Sequence, residues 1–166
     1  MDALEILAEQ VGVALKSRGL TLASAESCTG GWLGAAVTAV AGSSQWYERG
    51  FITYTNESKQ EMLSVAAETL ANYGAVSEPT VREMVAGALK HSHAHIAVAI
   101  SGIAGPGGAT PGKPVGTVCI AWGMRSGAGH AQTFYFTGNR NAVRRQAVDA
   151  ALRGLLPLLE DGSIVA

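Results

Sequence analysis

The sequence predicts an α/β fold: a three-layer α/β/α sandwich on a mixed, mostly parallel sheet with one C-terminal hairpin. Three observations carry this expectation. Segments with apolar residues at helical spacing alternate along the chain with strand-length apolar runs. One of those runs, "HIAVAISG" at 95–102, is apolar almost throughout, the pattern of a central strand covered on both faces. Further on, "VGTVCIAWG" and "HAQTFYFTG" are two β-rich stretches joined by "MRSGAG", the pattern of a hairpin.

The first helix falls in "MDALEILAEQVGVALKSRG", where Leu4, Leu7, Val11 and Leu15 mark one face and Gly19 is a natural stop. "LTLASA" reads as a short strand. Gly30 and Gly31 open a second helix with Leu33, Ala36, Val37 and Val40 on one face, ending near Gly42. "WYERGFITYT" is a second strand, and Asn56 is the expected N-cap of a helix carrying Met62 and Leu63. A short helix spans about 66–73. Ser77, Glu78 and Pro79 announce the next, with Val81, Met84, Val85 and Ala88 inward. After the central strand come the loop "IAGPGGATPGKP" and the hairpin. The chain closes on one long helix from about Asn139, with Val143, Ala147, Ala151 and Leu155 facing in.

With 166 residues, one domain over 1–166 is expected, large enough to bury a core. Hydrophobic residues at 48% against 15% charged exclude a disordered or linker-like chain. A formal net charge of −1 gives no footprint for nucleic acid or an anionic membrane. No apolar run is long and clean enough to span a bilayer, and the N-terminus lacks the marks of a signal peptide. Cys28 and Cys119 have no paired spacing, so they read as reduced thiols of a cytoplasmic protein. Trp32 and Trp46 suit either an interface or the core.

The stretch "AESCTGG" at 25–31 sets two hydroxyls, a thiol and a carboxylate against two glycines where a strand hands over to a helix. Open α/β sheets place ligand sites at that edge, and a helix N-terminus offers unpaired N–H groups. The turn suits a nucleophile, an oxyanion hole or both. It equally suits a capped helix with Ser27 or Thr29 satisfying backbone donors.

A serine nucleophile needs a base. His91, His93 and His95 form "HSHAH"; alternate histidines on a strand suit a metal, but no second cluster of ligands lies near in sequence, and no metal is expected. His130 sits in a strand near a turn, where exposure is expected. Lys59 falls in the first turn of its helix, whose positive end disfavours an ammonium; partial burial would lower its pKa further. A lysine so placed is suited to take a proton from a serine, though most lysines are simply solvated. Gly107 to Lys113 matches G-x-x-x-x-G-K, yet Pro114 replaces the hydroxyl of a P-loop and a strand follows in place of a helix, which excludes triphosphate binding. Arg140, Arg144 and Arg145 crowd the start of the last helix, where the dipole disfavours cations; an anionic ligand at Arg140 or a salt bridge would relieve this.

The motifs "AESCTGG", "GSSQWYERGFITYTNESKQEMLSV", "GAVSEP", "ISGIAGPGG", "KPVGTV" and "GNRNAVRRQA" together resemble the CinA C-terminal domain family, from about Leu4 to Leu159. The resemblance implies a stand-alone amidase domain that hydrolyses the carboxamide of nicotinamide mononucleotide. It implies Ser27 as nucleophile, with Lys59 as base and Tyr54 as a relay. Backbone N–H groups at Thr29, Gly30 and Gly31 would hold the oxyanion. Gly102, Gly105, Gly107 and Arg140 would hold the ribose phosphate, with Asn56 and Glu26 in the substrate-binding set. Glu26 is expected to orient either the lysine or a substrate hydroxyl. Asn139 stands where many relatives carry aspartate, which touches only the arginine's partner. The partner implied is a pyridine mononucleotide, with no nucleic acid, membrane or cofactor, in a homo-oligomer, a dimer being favoured. A non-catalytic nucleotide-binding or interaction module, and a cysteine hydrolase using Cys28, are the competing expectations.

Overall fold

The computed structural model describes residues 2–160; residue 1 and residues 161–166, the ends of the domain expected over 1–166, lie outside the described residues. Helix α1 (Ala3–Ser17) starts at Asp2, whose carboxylate accepts from the Leu4 and Glu5 N–H groups. It leads into β1 (Leu22–Glu26), α2 (Trp32–Thr38), a 3-10 turn (Ser43–Gln45) and β2 (Tyr47–Ile52). Three helices follow: α3 (Asn56–Leu63), α4 (Ala67–Tyr73) and α5 (Glu78–Lys90). Strands β3 (Ile96–Gly102), β4 (Thr117–Met124) and β5 (Gly129–Tyr135) precede α6 (Arg140–Arg153) and α7 (Leu155–Glu160).

The sheet order is β2-β1-β3-β4-β5. β1 pairs parallel with β2 and β3, while β3–β4 and β4–β5 are antiparallel, so β4 alone runs against the other four. This is the mixed, mostly parallel sheet with a C-terminal hairpin that the sequence predicts.

The apolar run of β3 hides a period-two pattern that sets the layer spacing. Leu22, Ile96, Val98, Ile100, Val118, Ile120 and Trp122 face α1, α2, α6 and α7 in one core. On the opposite face Ala23, Ala25, Ala97, Ala99, Cys119 and Ala121 meet the residues of α5. Small side chains there let α5 lie close to the sheet. Gly87 continues the logic: a Cβ at that position would sit 1.8 Å from the Leu63 carbonyl, so only glycine lets α5 close against the end of α3.

Three local expectations are corrected. The N-cap of α3 is Thr55, not Asn56: Thr55 Oγ1 accepts from the Ser58 N–H at 3.1 Å, and Ser58 Oγ accepts from the Thr55 N–H at 3.1 Å. The second helix ends at Thr38, so Val40 is only half-buried. The final helix is two helices, parted at Gly154. The Trp122 indole N–H donates to the Ala151 carbonyl at 2.8 Å, taking the acceptor an unbroken helix would offer to residue 155. Pro157 cannot donate to residue 153. A Cβ at Gly154 would also strike the Trp122 ring at 2.2 Å. The four inward positions of this segment are nevertheless all fully buried. Trp46 lies in the core and Trp32 is partly buried. No helix among the described residues is long and apolar enough to cross a membrane.

Candidate active site

The site is assembled at the carboxyl ends of β1, β2 and β3, where parallel strands leave a crevice. Ser27 follows directly on β1 and is fixed by its neighbours. Its N–H donates to the Ile100 carbonyl of β3 at 3.0 Å, and the Thr53 N–H, just past β2, donates to the Glu26 carbonyl at 2.8 Å. Gly30 (φ 59°) and Gly31 (φ 104°) then turn the chain into α2 through the left-handed region, which glycine enters without steric cost.

Glu26 holds this turn together. Its buried carboxylate accepts from Thr29 Oγ1 at 2.6 Å, from the Leu33 N–H at 2.9 Å and from the Gly34 N–H at 3.1 Å. It thus caps the first turn of α2 from the end of β1, an anion at the positive end of a helix. Both its oxygens are engaged by the turn, a role that neither expectation for Glu26 included.

Lys59 points from α3 into the same space. It is only 1% exposed and is among the largest fully buried side chains of the described residues. Its Nζ donates to Ser27 Oγ at 3.1 Å, to the Thr53 carbonyl at 3.0 Å and to the Tyr54 carbonyl at 3.3 Å. Among the described residues no carboxylate pairs with it. Burial therefore dominates its titration and lowers its pKa from the ordinary lysine value. The three contacts also define what the neutral amine does. An –NH₂ group has two hydrogens and one lone pair. If two carbonyls take the hydrogens, the lone pair is left for the Ser27 hydroxyl, which also lies 3.5 Å from the Tyr54 carbonyl.

The Tyr54 phenol is not beside this pair. Its main-chain carbonyl faces Lys59, while its hydroxyl accepts from Arg140 Nη2 at 3.1 Å. The side chain is exposed and turned to the rim, on the side of Arg140. Arg140 Nη1 donates to the Gly105 carbonyl at 2.7 Å. Between them lies a cleft of about 170 Å³ lined by Cys28, Tyr54, Gly102, Gly105, Gly107, Gly108 and Arg140, among others. Two of its glycines are sterically required. A Cβ at Gly102 would lie 2.7 Å from Val118 and 3.2 Å from Cys28 Sγ, and one at Gly105 would lie 2.4 Å from Val115. Gly107 has open space around it. Asn56 is exposed on the first turn of α3 and is not among the residues that line the cleft.

The oxyanion expectation needs one adjustment. The Gly30 N–H already donates to the Ser27 carbonyl at 3.0 Å, so it is spent on the turn. The Thr29 and Gly31 N–H groups make no hydrogen bond among the described residues. The arginines beyond Arg140 also find partners that spacing did not reveal. Arg144 Nε donates to the Cys28 carbonyl at 3.0 Å and Nη2 to the Thr29 carbonyl at 3.1 Å, while Arg145 is exposed. The one sequence signal for Arg144 is its place four residues after Arg140, on the same helix face.

The remaining candidates lie elsewhere. His91 Nε2 meets Ser64 Oγ, the His93 N–H donates to Glu48, and His95 Nδ1 accepts from the Thr21 N–H. His130 is exposed and stacks on Trp122 with ring centroids 4.7 Å apart. Lys113, the lysine of the P-loop-like run, donates to the Tyr73 carbonyl at 2.7 Å.

Cys28 is buried beside Ser27, and burial pushes its thiol up to about 11, outweighing the nearby Arg144, which pulls the other way. The thiolate that a cysteine hydrolase needs is scarce at neutral pH. Cys28→Ala is expected to keep turnover within about threefold, the scale of a small local repacking; a hundredfold loss in a folded variant would make the thiol a participant.

A family model described as CinA C-terminal domain matches residues 4–159. The chain therefore belongs to the CinA C-terminal domain family. Among its relatives is the nicotinamide-nucleotide amidohydrolase PncC of Escherichia coli (strain K12), 57% identical over 149 residues that cover 90% of each chain. The protein of the same name from Pseudomonas putida is 48% identical, covering 95% of this chain and 98% of its own. The crystal structure of the competence/damage inducible protein CihA from Agrobacterium tumefaciens superposes with a TM-score of 0.91 at 43% identity, covering 95% and 96% of the two chains.

Proposed function

We propose that this protein is an enzyme that hydrolyses the carboxamide of nicotinamide mononucleotide, giving nicotinate mononucleotide and ammonia. The observation that carries the reading is the buried Lys59 amine 3.1 Å from Ser27 Oγ, beside a turn whose Thr29 and Gly31 N–H groups have no partner among the described residues. The names of the two PncC relatives, nicotinamide-nucleotide amidohydrolases, support a nicotinamide nucleotide as the substrate.

The chemistry runs in two halves. Neutral Lys59 accepts the Ser27 hydroxyl proton as Oγ bonds to the carboxamide carbon. The Thr29 and Gly31 N–H groups receive the oxyanion. Collapse of the adduct breaks the C–N bond, and the Lys59 ammonium protonates the departing nitrogen as ammonia. Water then gives a proton to Lys59 and attacks the ester carbon. The second adduct expels Ser27 Oγ, which takes its proton back from Lys59. One water is consumed and every proton passes through one nitrogen.

Arg140, on the rim beside the Gly102–Gly108 loop, supplies a cation for the phosphate, and its exposed neighbour Tyr54 flanks the same entrance. A cytoplasmic homo-oligomer, a dimer first, completes the proposal, as the resemblance of the motifs implies.

The test is ammonia release across nicotinamide mononucleotide, its riboside and the dinucleotide. The mononucleotide should lead, and the riboside, lacking the phosphate, should lose at least about tenfold in kcat/KM, the scale of one charge-assisted contact. Binding of the mononucleotide with no ammonia from any of the three would make the protein a binding module and overturn the reading.

A further inference from the structure

We propose that Arg144 is a positioning residue that aims the Thr29 N–H as an oxyanion donor; this rests on the amidase reading above. Helix α6 delivers two arginines one turn apart. Arg140 reaches the rim of the cleft, where its Nη atoms meet Gly105 and Tyr54. Arg144 reaches beneath the turn that carries Ser27. It makes no ion pair among the described residues, although it is a partly buried cation near a helix start. Its donors go instead to two successive main-chain carbonyls, those of Cys28 at 3.0 Å and Thr29 at 3.1 Å. The guanidinium lies over the Trp32 ring, 5.4 Å from its centroid, so its plane is supported from the other side.

The consequence follows from peptide geometry. The Cys28–Thr29 peptide is trans, because the cis bond among the described residues is at Gly105–Pro106. In a trans unit the C=O and the N–H point in opposite directions. Fixing the Cys28 carbonyl toward Arg144 therefore fixes the Thr29 N–H away from it. That N–H has no acceptor among the described residues. The next unit behaves differently. The Thr29 carbonyl is also held by Arg144, but the Gly30 N–H on the same unit is spent on the Ser27 carbonyl. The clamp thus leaves one donor free and holds it in one orientation. The positive charge on the Cys28 carbonyl also polarises the unit and makes the Thr29 N–H a stronger donor. A donor held before the reaction begins costs no reorganisation when the oxyanion forms.

A lysine could substitute only in part. It offers a point charge and cannot span two carbonyls from a stacked plane.

The experiment compares wild type, Arg144→Met and Arg144→Lys in steady-state ammonia release from nicotinamide mononucleotide. Arg144→Met should lower kcat by about 10- to 100-fold, somewhat less than outright loss of an oxyanion donor, with KM within about twofold. Arg144→Lys should fall between. The pH at which activity rises should stay where it is in wild type, since Lys59 keeps its partners. Guanidinium ion added to an Arg144→Gly variant should restore part of kcat, which a merely structural defect would not permit. The proposal is overturned by wild-type kcat in Arg144→Met, by a loss carried in KM, or by a loss that guanidinium leaves untouched. Should Arg144→Met fail to fold, Arg144→Lys decides by the same criteria. If wild type releases no ammonia from the mononucleotide, the substrate assignment fails on its own. Arg144 is then judged by the rate at which a fluorophosphonate labels Ser27: slower labelling in the variant supports the clamp, and equal labelling rejects it.

Discussion

Replacing Lys59 by methionine should lower kcat/KM for ammonia release by about 10³-fold, within the range that general acid–base groups supply. Lys59 is asked to act at four proton transfers, and among the described residues no other titratable side chain makes a hydrogen bond to Ser27 Oγ. The residual activity should be pH-independent where wild-type activity is not. The sign follows from the form that works. The active lysine is the neutral one, and burial lowers its pKa from 10.5, so wild-type kcat/KM should climb with pH through a limb that lies below 10.5. Lys59→Met should lose that limb. The same group also links stability to pH. Between its depressed folded value and 10.5, the unfolded chain holds a proton that the folded chain does not. Wild-type stability should therefore rise with pH across that window, and Lys59→Met should show a flatter dependence in urea melts. Variant and wild type sharing one pH–rate limb would remove Lys59 from the mechanism.

Ser27→Ala should be the more severe change, reducing ammonia release at least about 10⁴-fold while the protein stays folded. The folded state has little stake in the hydroxyl. Ser27 is anchored to β3 through its main-chain N–H, and its carbonyl is held by Gly30, so alanine keeps both bonds. What is lost is the nucleophile and one of the three contacts of Lys59, whose bonds to the Thr53 and Tyr54 carbonyls remain. The neighbouring Cys28 cannot take over, because its thiol is held near 11 by burial. Turnover persisting in a folded Ser27→Ala variant would show water, not serine, attacking the amide.

Much of the fold was legible because its elements obey local rules. The uninterrupted apolar run of β3, the hairpin pattern of β4 and β5, and the Ser77-Glu78-Pro79 start of α5 each declare themselves within a few residues. What escaped was long-range. The break before α7 depends on Trp122, 29 residues from Ala151, taking a helical carbonyl. The Asn56 expectation failed more narrowly: Thr55 and Asn56 both suit a cap, and Ser58 closes the box only with Thr55. Within the site, sequence position located the strand-to-helix turn and the start of α3. It did not bring Ser27 and Lys59 together across 32 residues, nor reveal that Glu26 spends both oxygens on α2. The arginines show the same limit. Helix-dipole reasoning asked for an anionic ligand at Arg140 or a salt bridge, and for Arg144 the fold supplies two carbonyls 115 and 116 residues away.

The central claim is that Ser27 forms an ester with the substrate acyl group once Lys59 has taken its proton. A single-turnover reaction with enzyme in excess over nicotinamide mononucleotide, quenched in acid over milliseconds to seconds and read by peptide mass spectrometry, tests this most directly. The account predicts that ammonia appears ahead of nicotinate mononucleotide, and that the Ser27 peptide carries the acyl group in the interval between them. Ammonia and acid appearing together with no added mass on Ser27, or the acyl group found on Cys28, would contradict it.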